Sequence, residues 1–154
     1  MVSMPLAARG ISTAVVDGVA AARAADPDAY QEAAGRLAGA DPQRVALVLG
    51  GVVRSLLEDS HPDGMDGEDV RAVLERCTRS AAAWAPGVDP QVLLILLAGA
   101  LGVSDPDEQP PASPDAVARN ALLLTADLLG PRPLGPYLAA AFAELARAET
   151  VEMP

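Results

Sequence analysis

Apolar positions along the chain fall into long runs set apart by proline, glycine and aspartate, and most of the runs have a helical period. Val70, Val73, Leu74, Cys77, Ala81 and Trp84 lie at offsets of 0, 3, 4, 7, 11 and 14, a stripe down one face of a helix. Glu68, Arg71, Glu75 and Arg79 alternate in sign on the opposite face, as a solvated surface requires. Leu134, Tyr137, Leu138, Ala141, Phe142, Leu145 and Ala148 make a similar stripe near the C-terminus.

The starts of the helices are marked as clearly as their faces. Asp26-Pro27, Asp41-Pro42, Asp89-Pro90 and Ser113-Pro114 each place a side-chain acceptor before a proline. That acceptor satisfies a free amide of the first turn, and proline at the first helical position gives up an N–H that had no partner. Asp66, with Asp69 three residues on, starts a further helix, and Pro86-Gly87 ends it. The spacing predicts helices over 5–24, 26–39, 42–57, 66–85, 90–102, 114–129 and 134–149, with no run that alternates as a strand would. Gly10 and Gly18 weaken the first of these relative to alanine, or mark contact with another backbone. Gly50-Gly51 does the same in the third, where the reading is a close crossing with the central helix or a kink.

The run Val92 to Leu101 stands apart because it contains no charged residue and no side-chain donor. A helix apolar all round either spans a membrane or is covered on every side, and a span needs about 20 apolar residues. The segment 90–102 is therefore expected to be the buried central helix of an all-α, single-domain bundle of about seven helices covering 1–154. On that reading Leu94→Asp abolishes folding by burying an unpaired charge.

Two weak self-similarities suggest a tandem three-helix duplication, with halves at 26–85 and 89–149 after an N-terminal helix and before a tail at 150–154. Pro42, Val45 and Ala46 match Pro114, Val117 and Ala118, and Leu56-Leu57 matches Leu128-Leu129 at the same offset. Ala34-Gly35 with Leu37 and Asp41-Pro42 echoes Ala98-Gly99 with Leu101 and Asp105-Pro106. Alanine- and leucine-rich helices with Asp-Pro caps also match one another by chance.

Composition narrows the functional classes. Of 154 residues, 51% are hydrophobic and 21% charged, which argues for a packed domain over disorder. Aromatics make up only 3%, so Leu, Val and Ala must fill the core. All 11 basic residues are arginine, a usage that resembles the coding habit of high-GC bacteria such as actinobacteria. The net charge of −10 and the lack of a basic cluster disfavour nucleic acid and anionic membrane surfaces as partners. Cys77 alone cannot form an internal disulfide, and the N-terminal residues lack the pattern of a signal peptide, which together place the chain in the cytoplasm.

Candidate chemistry is sparse. The loop with Asp59, His61, Asp63 and Asp66 has oxygen ligands at alternate positions and a glycine at the sixth, like the start of a calcium loop. It departs from that pattern at His61, Pro62 and Val70, and also reads as a plain polar turn. Cys77 lies on the apolar stripe and reads as core. Arg54, on an otherwise apolar helix, calls for a carboxylate such as Asp17, Glu58 or Asp127, or serves as an anchor at a pocket, as His61 could. No phosphate loop, cofactor motif or metal-ligand set is present in the sequence.

The reading these features support is a non-enzymatic helical interaction module, an adaptor or regulatory subunit that binds a protein partner or a second copy of itself. The alternative is a binder of a small apolar ligand in a pocket between helices. An enzyme is the third class, with no catalytic residue to offer.

Overall fold

The computed structural model describes residues 6–103 and 112–152. Among them are seven α-helices and no strand: α1 (Leu6–Ala24), α2 (Pro27–Ala38), α3 (Pro42–Ser60), α4 (Gly67–Ala82), α5 (Pro90–Leu101), α6 (Pro114–Leu129) and α7 (Gly135–Glu152). The caps act as the sequence implies. Asp26 accepts from the Ala29 amide, Asp41 from Gln43, Asp89 from Gln91 and Ser113 from Ala116, at 2.9–3.2 Å. Asp66 and Asp69 exchange side-chain and backbone bonds of 2.9 and 3.0 Å, a complete capping box. The backbone amide of Asp69 holds the Asp66 carboxyl below its ordinary pKa. At the end of α5, Gly102 takes φ +75°, and the Val103 amide returns to the Ala98 carbonyl at 3.0 Å. Most of the predicted loop 104–113 and the final residues 153–154 lie outside the described residues.

The centre of the bundle is α6, not α5. α6 packs against α1, α2, α3, α4 and α5, and nine of its sixteen residues are buried. α5 meets α3, α4 and α6 along one side only. Val92, Leu93 and Leu97 are buried, but Leu94 is 45% exposed and Gly99 faces out. The expectation that helix 90–102 is covered all round is thus corrected, because among the described residues its main neighbours are α3, α4 and α6, and Leu94 and Gly99 stay exposed. The expected collapse of Leu94→Asp goes with it.

α6 tolerates its central place with polar residues because each finds a partner. Thr125 Oγ1 donates to the Ala121 carbonyl at 2.7 Å. Asn120, fully buried, donates from Nδ2 to the Ala116 carbonyl at 2.8 Å and accepts from the Asp89 amide at 2.9 Å. It therefore fastens the start of α5 to the middle of the core, satisfying groups that would otherwise be buried unpaired.

The glycines sort by what faces them. A Cβ at Gly18 would lie 2.7 Å from Leu122 Cδ1, so α1 crosses α6 closely there. Gly51 faces Ala141 of α7 at 3.5 Å, while Gly10 and Gly50 face open space. The close contact in α3 is therefore with α7, and α3 runs unbroken through its glycine pair. Because α6 sits among helices of both proposed halves, this packing does not confirm the tandem duplication. No helix among the described residues is long and apolar enough to cross a membrane.

Candidate docking groove

α5 and α7 flank α3 and leave its outward face uncovered, so that face becomes the floor of a groove. Its middle, about 480 Å³, is lined by Ala46, Leu47, Gly50 and Gly51 of α3, by Ile95, Leu96, Gly99 and Ala100 of α5, and by Ala141, Leu145 and Ala148 of α7. Through Leu47, Leu145 and Ala148 it continues into a compartment of about 440 Å³ at the start of α3, beside Asp41, Gln43 and Arg44. Through Arg54, Gly99 and Ala100 it continues into one of about 330 Å³ at the end of α3, beside Glu58, His61 and Met65. From Gln43 to His61 the floor is roughly 27 Å long at 1.5 Å per helical residue.

The middle is apolar because α3 turns small residues outward and α5 has no polar side to turn. Gly50 and Gly99 meet nothing within 4 Å of where a Cβ would stand. Each costs its helix about 1 kcal/mol relative to alanine, and no contact among the described residues requires either. Leu47 at 50% exposure and Leu94 at 45% lie at and beside the groove.

Both arginines at the groove are paired with acids of α7. Arg54 bonds Glu144 of α7 at 2.8 Å. Arg44 bonds Glu149 at 2.8 Å and lies 3.8 Å from Asp41. These bridges tie α3 to α7 at the rim, where solvent keeps such pairs weak. Arg54 therefore has a partner that sequence did not offer. Asp17 pairs with Arg36 at 2.7 Å, and Asp127 takes a bidentate hold on Arg76 at 2.9 and 3.0 Å, which raises the Arg76 pKa.

Arg54 and His61, the two anchors named from sequence, line the same end compartment. His61 closes α3, donating its amide to the Leu57 carbonyl at 2.8 Å and accepting from the Gly64 amide at 2.9 Å. Its Nδ1 is buried without a partner. The proposed metal ligands are engaged separately. Asp59 accepts from the Tyr137 hydroxyl at 2.7 Å, Asp66 caps α4, and no three acidic, histidine or cysteine side chains among the described residues are placed to hold a metal ion.

Away from the groove, Cys77 is 2% exposed and burial pushes its thiol up to about 12, a protonated core group with no nucleophilic character at neutral pH. Tyr30 is fully buried, stacks edge-on to Trp84 at 5.1 Å and donates to the Arg119 carbonyl at 2.6 Å, and burial raises its pKa. Both groups are structural.

Sequence reading found Arg54 and His61 but missed the groove between them. The available signal was the pair of small residues Ala46 and Gly50, one turn apart on the same helix as Arg54, which itself pairs 90 residues away. Comparison with family models, curated proteins and solved structures finds no match to this chain.

Proposed function

We propose that the protein is a non-enzymatic interaction module that receives an apolar helix of a protein partner in the groove over α3. The observation that carries this reading is the floor at Gly50, open, apolar and walled by α5 and α7. Laying an amphipathic helix into an apolar groove is a common mode of protein recognition, and small residues on the floor let the incoming backbone approach closely.

The test is native mass spectrometry of tagged protein gently purified from cells that carry its gene. The expected result is added mass of protein size that disappears in Gly50→Leu, a change that fills the floor. A bare chain, or protein mass that persists in the variant, refutes the groove reading.

A second reading rests on the end compartment, lined by Arg54, Glu58 and His61, the last with a buried Nδ1 that has no hydrogen-bond partner. A small apolar molecule with one polar group would fit such a site. In the same experiment it would appear as a small added mass lost in Arg54→Ala and kept in Gly50→Leu.

A further inference from the structure

Resting on the groove reading above, we infer that the partner helix received over α3 is amphipathic and carries a lysine or arginine at the end that lies in the compartment beside Glu58. That compartment is bounded by the ends of two helices. Leu57 and Glu58 belong to the last turn of α3 and His61 caps it, while Gly99 to Leu101 belong to the last turn of α5 and Gly102 caps it. A helix C-terminus carries a partial negative charge that a nearby cation stabilises. Neither α3 nor α5 has a basic residue in its own last turn. Arg132 reaches the Ser60 hydroxyl at 2.9 Å but does not line the compartment.

The side chains add to the same sign. The Glu58 carboxylate forms no hydrogen bond or ion pair among the described residues. Arg54, which lines the same compartment, is already held by Glu144 at 2.8 Å. At the other end of the groove Arg44 is shared between Glu149 at 2.8 Å and Asp41 at 3.8 Å. Acids therefore outnumber arginines at both ends, and no arginine lining the groove is left to receive an acidic occupant. The net charge of −10 draws a cation in from a distance as well. Between the ends the lining is apolar, so the helix that fits along the groove has an apolar face and a basic end.

The test is fluorescence anisotropy of the full chain with three labelled peptides, each of roughly 18 residues to match the floor at 1.5 Å per residue. All three share one leucine- and alanine-rich apolar stripe, and they carry arginine, glutamine or glutamate at both ends. The arginine peptide should bind about two- to five-fold tighter than the glutamine one, as a solvent-exposed charge pair at a helix end allows, and the glutamate peptide should bind weakest. The advantage of arginine should shrink as salt rises. Glu58→Gln should cut that advantage, whereas Asp63→Asn, which removes the same charge outside the groove, should leave it. Circular dichroism checks that both variants stay folded. Equal binding of the three peptides, or an advantage that Glu58→Gln leaves as intact as Asp63→Asn does, overturns the basic end. The groove reading survives that result as long as Gly50→Leu abolishes binding. Binding that persists in Gly50→Leu, or none at up to about 1 mM, overturns both, so the two ideas fail separately.

Discussion

α5 and α6 are neighbours in the bundle with opposite relations to solvent. α5 carries no polar side chain from Val92 to Leu101, yet only Val92, Leu93 and Leu97 are buried. α6 carries Arg119, Asn120, Thr125 and Asp127, yet nine of its residues are buried. Burial follows from how many neighbours a helix has, and five helices reach α6. The two fully buried polar side chains, Asn120 and Thr125, survive at the centre because both are bonded, while apolar groups at the edge stay in water at a cost. An apolar edge helix therefore speaks of an interface, and a polar central helix speaks of packing.

The sharpest way to break that contrast is to put the same charge on each helix. Leu122→Asp, at a position with no exposure, buries a carboxylate with no partner, which costs several kcal/mol or more, a large part of the roughly 5–15 kcal/mol that holds a domain together. It should leave an unfolded or aggregated chain by circular dichroism. Leu94→Asp, on the outer arc of α5, should keep the helical spectrum and shift the melting temperature by only a few degrees. If Leu94→Asp unfolds the isolated chain, α5 is covered after all and the contrast is wrong.

The junction between the two helices is the next place to press. Asn120 is the polar link from α6 to the start of α5, and Asn120→Ala leaves the partly buried Asp89 amide without its acceptor. The expected loss in denaturant unfolding is about 1–3 kcal/mol. Thr125→Val is the matching control, because its hydroxyl bonds only a carbonyl one turn back in its own helix, and it should cost less. Equal losses would mean that Asn120 contributes through its volume rather than its bridge.

These residues also show what sequence can carry. Helix starts were legible because Asp-Pro and Ser-Pro act locally: the acceptor and the amide it satisfies are two or three residues apart. The face of α4 was legible because a 3.6-residue period records which side is dry. The exchange of roles between α5 and α6 was not, since hydropathy describes a segment and coverage describes its neighbours. The candidate site divides in the same way. Arg54 and His61 stood out by type, but Glu144, Ala141 and Gly99 reach the groove from helices distant in sequence, and the groove itself is a contact that the fold leaves unmade.

The smallest effect gives the cleanest comparison, because one substitution should change sign between the two helices. Gly18 faces Leu122 of α6, and a Cβ there would stand 2.7 Å from Cδ1. Leu122 is fully buried and would have to shift at Cδ1, Cδ2 and Cγ together, and overpacking of about 1–3 kcal/mol should outweigh the roughly 1 kcal/mol that alanine returns to the helix. Gly99 of α5 faces open space, so Gly99→Ala should keep that gain of up to about 1 kcal/mol. Both are best measured by urea unfolding. On the groove reading the same Gly99→Ala should weaken binding of a partner helix, because its methyl group intrudes on the groove wall. A residue that lowers the stability of its own helix and raises the affinity of the assembly is what a glycine at a docking surface should be, whereas Gly18 serves only the fold. If Gly99→Ala destabilises the isolated chain, the groove wall is already in contact with something in the fold, and the apolar arc of α5 needs another explanation.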